Sequence, residues 1–286
     1  MDNINIINPQ EHDYLKISEC IADLSDKLYV MGELPATRQP SVAIVGSRKP
    51  TAYGKEITER IAGELAKKGV VIISGLAIGV DALAHKAALA ASGTTIAVLA
   101  NGLHRIYPNT NRELAKTILA KNGAILSEYE PGVEPMQHRF LERNRIVSGL
   151  SDIVIVTEAA SRSGTLNTAA HALNQGKIVF AVPGNITSPM SAGCNQLIKQ
   201  GAIPVLDTQD ILEALGLLDN TKQTLLPIGS TPLENDILKS LQKGIRDGDA
   251  ILQTLGANPS EFNTALTMLE INGVIKALGA NQWALS

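Results

Sequence analysis

The chain has 286 residues, 44% of them hydrophobic, enough for one sizeable core and a small second domain. No apolar run approaches the ~18 residues a membrane span needs. The formal net charge of −3 is unevenly spread: residues 1–40 hold 3 Lys+Arg against 7 Asp+Glu, residues 41–215 hold 17 against 14, and residues 216–286 hold 5 against 7. A mildly basic middle between acidic flanks admits a local basic pocket and gives no broad basic face.

The opening MDNINIINPQEHD is acidic and polar and is not expected to act as a secretory signal. Cys20 and Cys194 stand alone and far apart, which makes neither a disulfide framework nor a metal cluster and fits a reducing cytoplasm. Residues 1–40 mix helix-like spacing (Leu15, Ile17, Cys20, Ile21, Leu24) with one extended piece, KLYVMGELP, and Pro35 and Pro40 stop regular structure after it. This region is expected to be a short extension packed on the core, without a site.

From Ser41 to residue 216 the chain alternates. The apolar runs SVAIVG, VVIIS, TTIAVLA, AILSE, DIVIV and KIVFAVP are separated by segments of helical period such as YGKEITERIAGELAKK and LNTAAHALNQG. Continuous β-branched runs alternating with helices predict a doubly wound, mostly parallel sheet covered on both faces. Such sheets bind ligands beyond the carboxyl ends of the strands, near a topological switch point. The residues just after each strand are therefore the candidates.

After the first of these strands come Gly46, Ser47 and Arg48, a tight turn feeding a helix whose N-terminus offers N–H groups to an anion. Arg48 adds a planar fork of donors suited to phosphate. After the second comes SGLAIGVD, with Asp81 at a helical turn and His85 one turn further on. It is neither the dinucleotide fingerprint nor a P-loop. The third is followed by NGLHRIYP, a loop with one arginine and one tyrosine, and the fourth by Glu128, Tyr129 and Glu130, read as loop carboxylates around a tyrosine.

The stretch HRFLERNRIVSGLS, residues 138–151, is unusual. Taken as a helix, it places Phe140, Arg143 and Asn144 on one face by i, i+3 and i+4 spacing, with Arg139 and Arg145 beside them. An aromatic ring among arginines suits a single-stranded nucleic acid, whose bases stack on the ring while guanidinium groups hold phosphates. After DIVIV, the turn Ser163-Gly164-Thr165 opens another helix and forms a possible anion nest. Cys194 follows a small-residue loop and is read as a structural residue. No GxSxG, HExxH or His/Cys/Asp/Glu set at metal spacing is found, so no catalytic residue, metal or cofactor is expected.

Residues 217–231 read as a linker. Residues 232–286 give three helical pieces and a closing hairpin, the pattern of a winged helix. Its third helix, near Ser260–Asn272, carries Glu261 and Glu270 and no Lys or Arg, which disfavours duplex binding and favours a protein contact.

The pieces AIVGSR, SGLAIGVDALAH, LANGLHRIYP, FLERNRIVSGLSD, EAASRSGTLNTAAHAL, VFAVPGN and SAGCNQLIKQGA occur in this order. In them the chain resembles the DNA-processing protein A (DprA/Smf) family over about residues 27–286. The resemblance implies an extended Rossmann-like domain that binds single-stranded DNA, protects incoming strands, helps load the RecA recombinase in natural transformation and recombination, and dimerises. It places the DNA pocket on Gly46, Ser47 and Arg48, on Phe140 as stacking residue, and on Arg143, Asn144 and Arg145, with Ser163, Gly164 and Thr165 on the phosphate edge. Leu141 stands where the family often has proline, and Gln137 where some members have lysine. The alternative is a nucleotide-processing phosphoribohydrolase of the cytokinin-activating type, built on a similar core with a PGGxGTxxE turn. Here the comparable SRSGTLNTA lacks both the double glycine and the glutamate.

Overall fold

The computed structural model describes residues 3–218 and 231–285, which fall in two units, Met1–Leu218 and Asp219–Ser286. In the first unit the parallel strands are β3 (Ser41–Val45), β4 (Val71–Ser74), β5 (Thr95–Val98), β6 (Ala124–Ser127), β7 (Ile153–Val156), β8 (Ile178–Ala181) and the short β9 (Ile203–Pro204). Between them run α1 (Ala52–Lys67), α2 (Val80–Ala90), α3 (Arg112–Ala120), α4 (Gln137–Gly149), α5 (Thr165–Asn174) and α6 (Ala192–Lys199), and α7 (Thr208–Ala214) follows β9. This is the expected doubly wound, Rossmann-like sheet.

Alternation explains its two-sided core. Ala43 and Val45 face one layer, with Ile73, Val154 and the α4 residues Ile146 and Val147. Val42 and Ile44 face the other, with Ile57, Ile61 and Leu65 at helical spacing along α1. All are buried, and each large side chain so buried contributes about 1.5–3 kcal/mol. Successive strand residues point to opposite faces, so both must be apolar.

Residues 1–40 differ from the expectation of a packed-on extension. They supply β1 (Asn5–Ile7) and β2 (Leu28–Gly32), and β2 pairs antiparallel with β6, so among the described residues the sheet has nine strands in the order β1-β2-β6-β5-β4-β3-β7-β8-β9. The helix-like spacing here folds as 3-10 turns, Pro9–Glu11 and Asp13–Cys20. They drive Tyr14 and Leu15 fully into the core, where Arg38 lies 5.1 Å over the Tyr14 ring and pairs with Asp152 at 2.7 Å.

From β3 the chain winds outward through β4, β5 and β6, then returns to β7 on the other side of β3. The switch point therefore lies between β3 and β7, and the residues after these strands flank a crevice.

In the second unit α8 (Pro232–Gln242), α9 (Gly248–Leu255) and α10 (Pro259–Ile271) pack Ile237, Leu241, Ile251, Phe262 and Leu266 together, followed by the antiparallel hairpin β10 (Ile275–Gly279) and β11 (Gln282–Leu285). It is a winged helix. The expected linker 217–231 lies almost wholly outside the described residues, since 219–230 are not described.

Candidate functional site

The turn after β3 is clamped from three directions. Ser47 N–H donates to the Glu158 carbonyl (2.8 Å), Val80 N–H donates to the Ser47 carbonyl (3.1 Å), and the Thr165 hydroxyl donates to the Gly46 carbonyl (3.0 Å). The start of α2 can come this close because Gly79, at φ +85°, has no side chain: a Cβ there would stand 2.3 Å from the Ser47 carbonyl oxygen. The elements after β3, β4 and β7 are thus locked together, and Arg48 projects from the lock, exposed.

One sequence expectation changes here. The N-terminus of α1 already holds an anion, because the buried Glu158 carboxylate accepts from Thr51 N–H (3.0 Å) and from the Thr51 hydroxyl. The exposed cations on this edge are Arg48 and Arg162, while the turn at Ser163–Thr165 spends its hydroxyls and the Thr165 N–H within the fold. In that turn Thr165 N–H donates to Ser163 Oγ at 3.2 Å, and the Ser163 hydroxyl donates to Thr165 Oγ1 at 3.0 Å.

The predicted residues gather round a cleft of about 700 Å³ at the switch point. Gly46, Ser47, Arg48, Phe140, Arg143, Asn144, Ser163, Gly164 and Thr165 all line it. Phe140 is half-buried. Its ring lies 5.7 Å from the Arg48 guanidinium and 5.7 Å from the Tyr107 ring, tilted by 50°. Tyr107 is the aromatic of the loop after β5. The sequence placed it on the correct edge, and its partnership with Phe140 arises from the fold. Gln137, Leu141 and the exposed Arg162 also border the cleft.

Arg143 and Asn144 line the cleft and are also engaged within the fold. Arg143 is 4% exposed and donates to the carbonyls of Gly75 (2.7 Å) and Val98. Gly75 admits it, since a Cβ there would stand 2.6 Å from the guanidinium. Beside it, buried Asp81 accepts from the N–H groups of Gly75 (3.1 Å) and Ala77 (3.3 Å). Burial pushes the Asp81 carboxyl up, against the pull of Arg143 and of these N–H groups. The two form a polar floor, and Asp81 is the one carboxyl group among the described lining residues. Asn144 donates to Asn167 Oδ1 at 3.2 Å, tying α4 to α5.

Arg145 departs from the assignment. It does not line the cleft. It reaches Glu128 at 2.6 Å and the Asp23 carbonyl at 3.4 Å, joining α4 to the region before β2. The reason is helical geometry: one residue after Asn144 lies about 100° further round the helix. Glu128, read from sequence as a loop carboxylate, is its partner. Arg139 likewise sits 5.3 Å over the Tyr129 ring and donates to the Glu134 carbonyl.

Two further groups are structural. Cys194 is fully buried and its thiol is pushed up to about 12, chiefly by burial. His85 is fully buried with Nδ1 2.7 Å from Thr95 Oγ1, whose own hydrogen goes to the Ile72 carbonyl (2.7 Å). His85 must therefore donate from Nδ1, leaving Nε2 bare. Among the described residues no group of three His, Cys, Asp or Glu could hold a metal, and no helix is long and apolar enough to cross a membrane.

The fold and cleft define a doubly wound α/β protein with an arginine- and aromatic-lined crevice at the switch point and a winged helix after it. The chain belongs to the DNA recombination-mediator protein A family, whose model matches residues 5–216, and the DprA winged helix domain matches residues 221–281. It is 41% identical to Protein Smf of Escherichia coli over 268 residues, covering 90% of this chain and 71% of that protein. It is 42% identical to the DNA processing protein DprA of Bacillus subtilis over 213 residues, covering 74% and 71%. Among solved structures it is similar to DNA processing protein A from Helicobacter pylori, described for its single-stranded DNA binding mode. That match has 38% identity and a TM-score of 0.63, covering 70% of this chain and 91% of that one. DprA from Streptococcus pneumoniae matches with 40% identity and a TM-score of 0.62, covering 68% and 69%.

Proposed function

We propose that this protein binds single-stranded DNA in the switch-point cleft and acts without catalysis as a recombination mediator. It protects incoming strands and helps load RecA, as a homodimer in the cytoplasm, during natural transformation and recombination. The observation that carries this reading is the pairing of Arg48 with Phe140 over a floor of Arg143. A phosphate meets the Arg48 fork and the Ser163–Thr165 turn while an unpaired base meets the Phe140 ring. The family membership and the strand-binding relative from Helicobacter pylori support the same ligand.

The phosphoribohydrolase reading fares worse. Thr168, lining the cleft, stands at the position of the glutamate in GTxxE, and Asp81 is engaged by two backbone N–H groups beside Arg143. Released base from nucleoside monophosphates would revive it.

The test is a titration of the parent and Arg48→Ala with a labelled oligothymidylate, with duplex competitor, at several salt concentrations. The parent prefers single strands. Arg48→Ala binds more weakly, with a salt slope shallower by about 0.7. A variant that binds like the parent sinks the cleft. RecA loading is tested by RecA-driven strand pairing with the full chain and with a chain lacking residues 217–286.

A further inference from the structure

A second concavity, about 570 Å³, lies on the other side of the loop that carries Tyr107. Its floor is apolar: Met31, Leu103 and Ala115 are buried, with Leu119 beside them. Its rim is basic, formed by His104, Arg105, Arg112 and Lys116. Nothing in the switch-point site uses these residues.

The rim cations are available. Arg112 is exposed at the start of α3, and its side chain makes no hydrogen bond or ion pair among the described residues. Arg105 pairs with Glu134 at 3.0 Å and Lys116 with Glu113 at 2.8 Å, but each of these side chains is more than half exposed. Such pairs are worth little in water and are easily exchanged for a phosphate. The wall between the cavities is fixed, since the buried Asn101 side chain donates to the carbonyls of Gly102 (2.9 Å) and Arg105 (2.8 Å). Tyr107 faces the first cavity and its neighbour Ile106 the second. Adjacent residues of one loop thus line both cavities, which makes this loop their common wall.

We infer that the groove between α3 and the loop after β5 is a second subsite for the same single strand. A nucleotide beyond the one on Phe140 lays its base on Met31 and Leu103 and its phosphates against Arg112 and Lys116. The inference rests on the strand-binding reading of the cleft. A polarisable thioether on an apolar floor accepts a base face without reading its edge, so the subsite adds length and not sequence preference.

The test compares oligothymidylates of about 4 and about 12 nucleotides on the parent, Arg48→Ala and the double variant Arg112→Ala/Lys116→Ala. Both substituted residues of the double variant are exposed, so folding is not at issue. Arg48→Ala is expected to weaken both lengths. The double variant is expected to bind the short strand like the parent and the long strand about tenfold more weakly, with a salt slope shallower by about 1.4 for two lost phosphate contacts. A double variant that binds the long strand like the parent overturns the groove and leaves the cleft standing. Equal loss at both lengths makes the two cations a general field and also overturns it. An Arg48→Ala protein that binds like the parent overturns the cleft and, with it, the continuous path.

Discussion

The Arg48 guanidinium lies 5.7 Å from the centre of the Phe140 ring, at the mouth of the switch-point cleft. One is anchored by the β3 turn and the other by α4, so neither element alone makes the pair. A planar cation so placed can touch a ring and a phosphate together, whereas an ammonium serves only as a point charge.

Arg48→Lys therefore separates charge from shape. The salt slope of oligothymidylate binding should match the parent, because the charge remains. Affinity should fall by about 0.5–1 kcal/mol, the scale of an exposed cation–π contact. An unchanged affinity would mean that Arg48 contributes charge alone.

Arg143→Ala should act on stability first. It leaves the carbonyls of Gly75 and Val98 unpaired and leaves buried Asp81 without the cation that offsets its desolvation. Stripping buried acceptors of their donor costs about 1–3 kcal/mol. Denaturant unfolding measures this, and a parent-like midpoint would return Arg143 to the ligand.

Arg145→Met should leave strand binding unchanged and destabilise the fold by about 1–3 kcal/mol, since it strips the partly buried Glu128 of its partner. Burial already pushes the Glu128 carboxyl up, and Arg145 pulls it down. Without Arg145, the carboxyl rises further. The penalty is then largest at neutral pH and shrinks as pH falls into the raised carboxylate range, where a protonated Glu128 needs no cation. A deficit that grows with acid would contradict the pairing.

His85 gives the opposite sign. Burial, followed by repulsion from Arg143, holds its imidazole down to about 3. In the unfolded chain it protonates below the ordinary value of 6.5, and in the fold it stays neutral. Its contribution is thus fully present above pH 6.5 and is lost as pH falls from there towards 3, by at most about 1.4 kcal/mol per pH unit. His171, also held low by burial, adds to this loss. His85→Gln should flatten the stability profile between pH 6.5 and 5 relative to the parent. Coincident slopes would show that His85 does not report acid sensitivity.

The parallel strands were legible because a strand buried on both faces must be apolar throughout, and runs such as DIVIV admit few other readings. The cleft followed from position, since its parts lie just after those strands. Depth was not legible. The spacing of Phe140, Arg143 and Asn144 shows a shared face, but not that Arg143 runs beneath Gly75 into the floor. Nor does it show that Arg145 turns towards Glu128, seventeen residues earlier in the chain. Tyr107 stood alone in the sequence because its partner comes from α4. β1 escaped notice because three residues, two of them exposed, carry no period.

The antiparallel pairing of β2 with β6 bears on synthesis. At the usual 5–20 residues per second, β2 emerges about ten seconds before β6, the strand that joins it to the rest of the sheet. Throughout that time the apolar LYVM of β2 has only the three-residue β1 to pair with, and α1 to α3 with β3 to β5 can form first. Residues 1–40 are thus made well before the strand that docks them and placed only after it, which makes this edge of the sheet the step most exposed to mispairing on the ribosome.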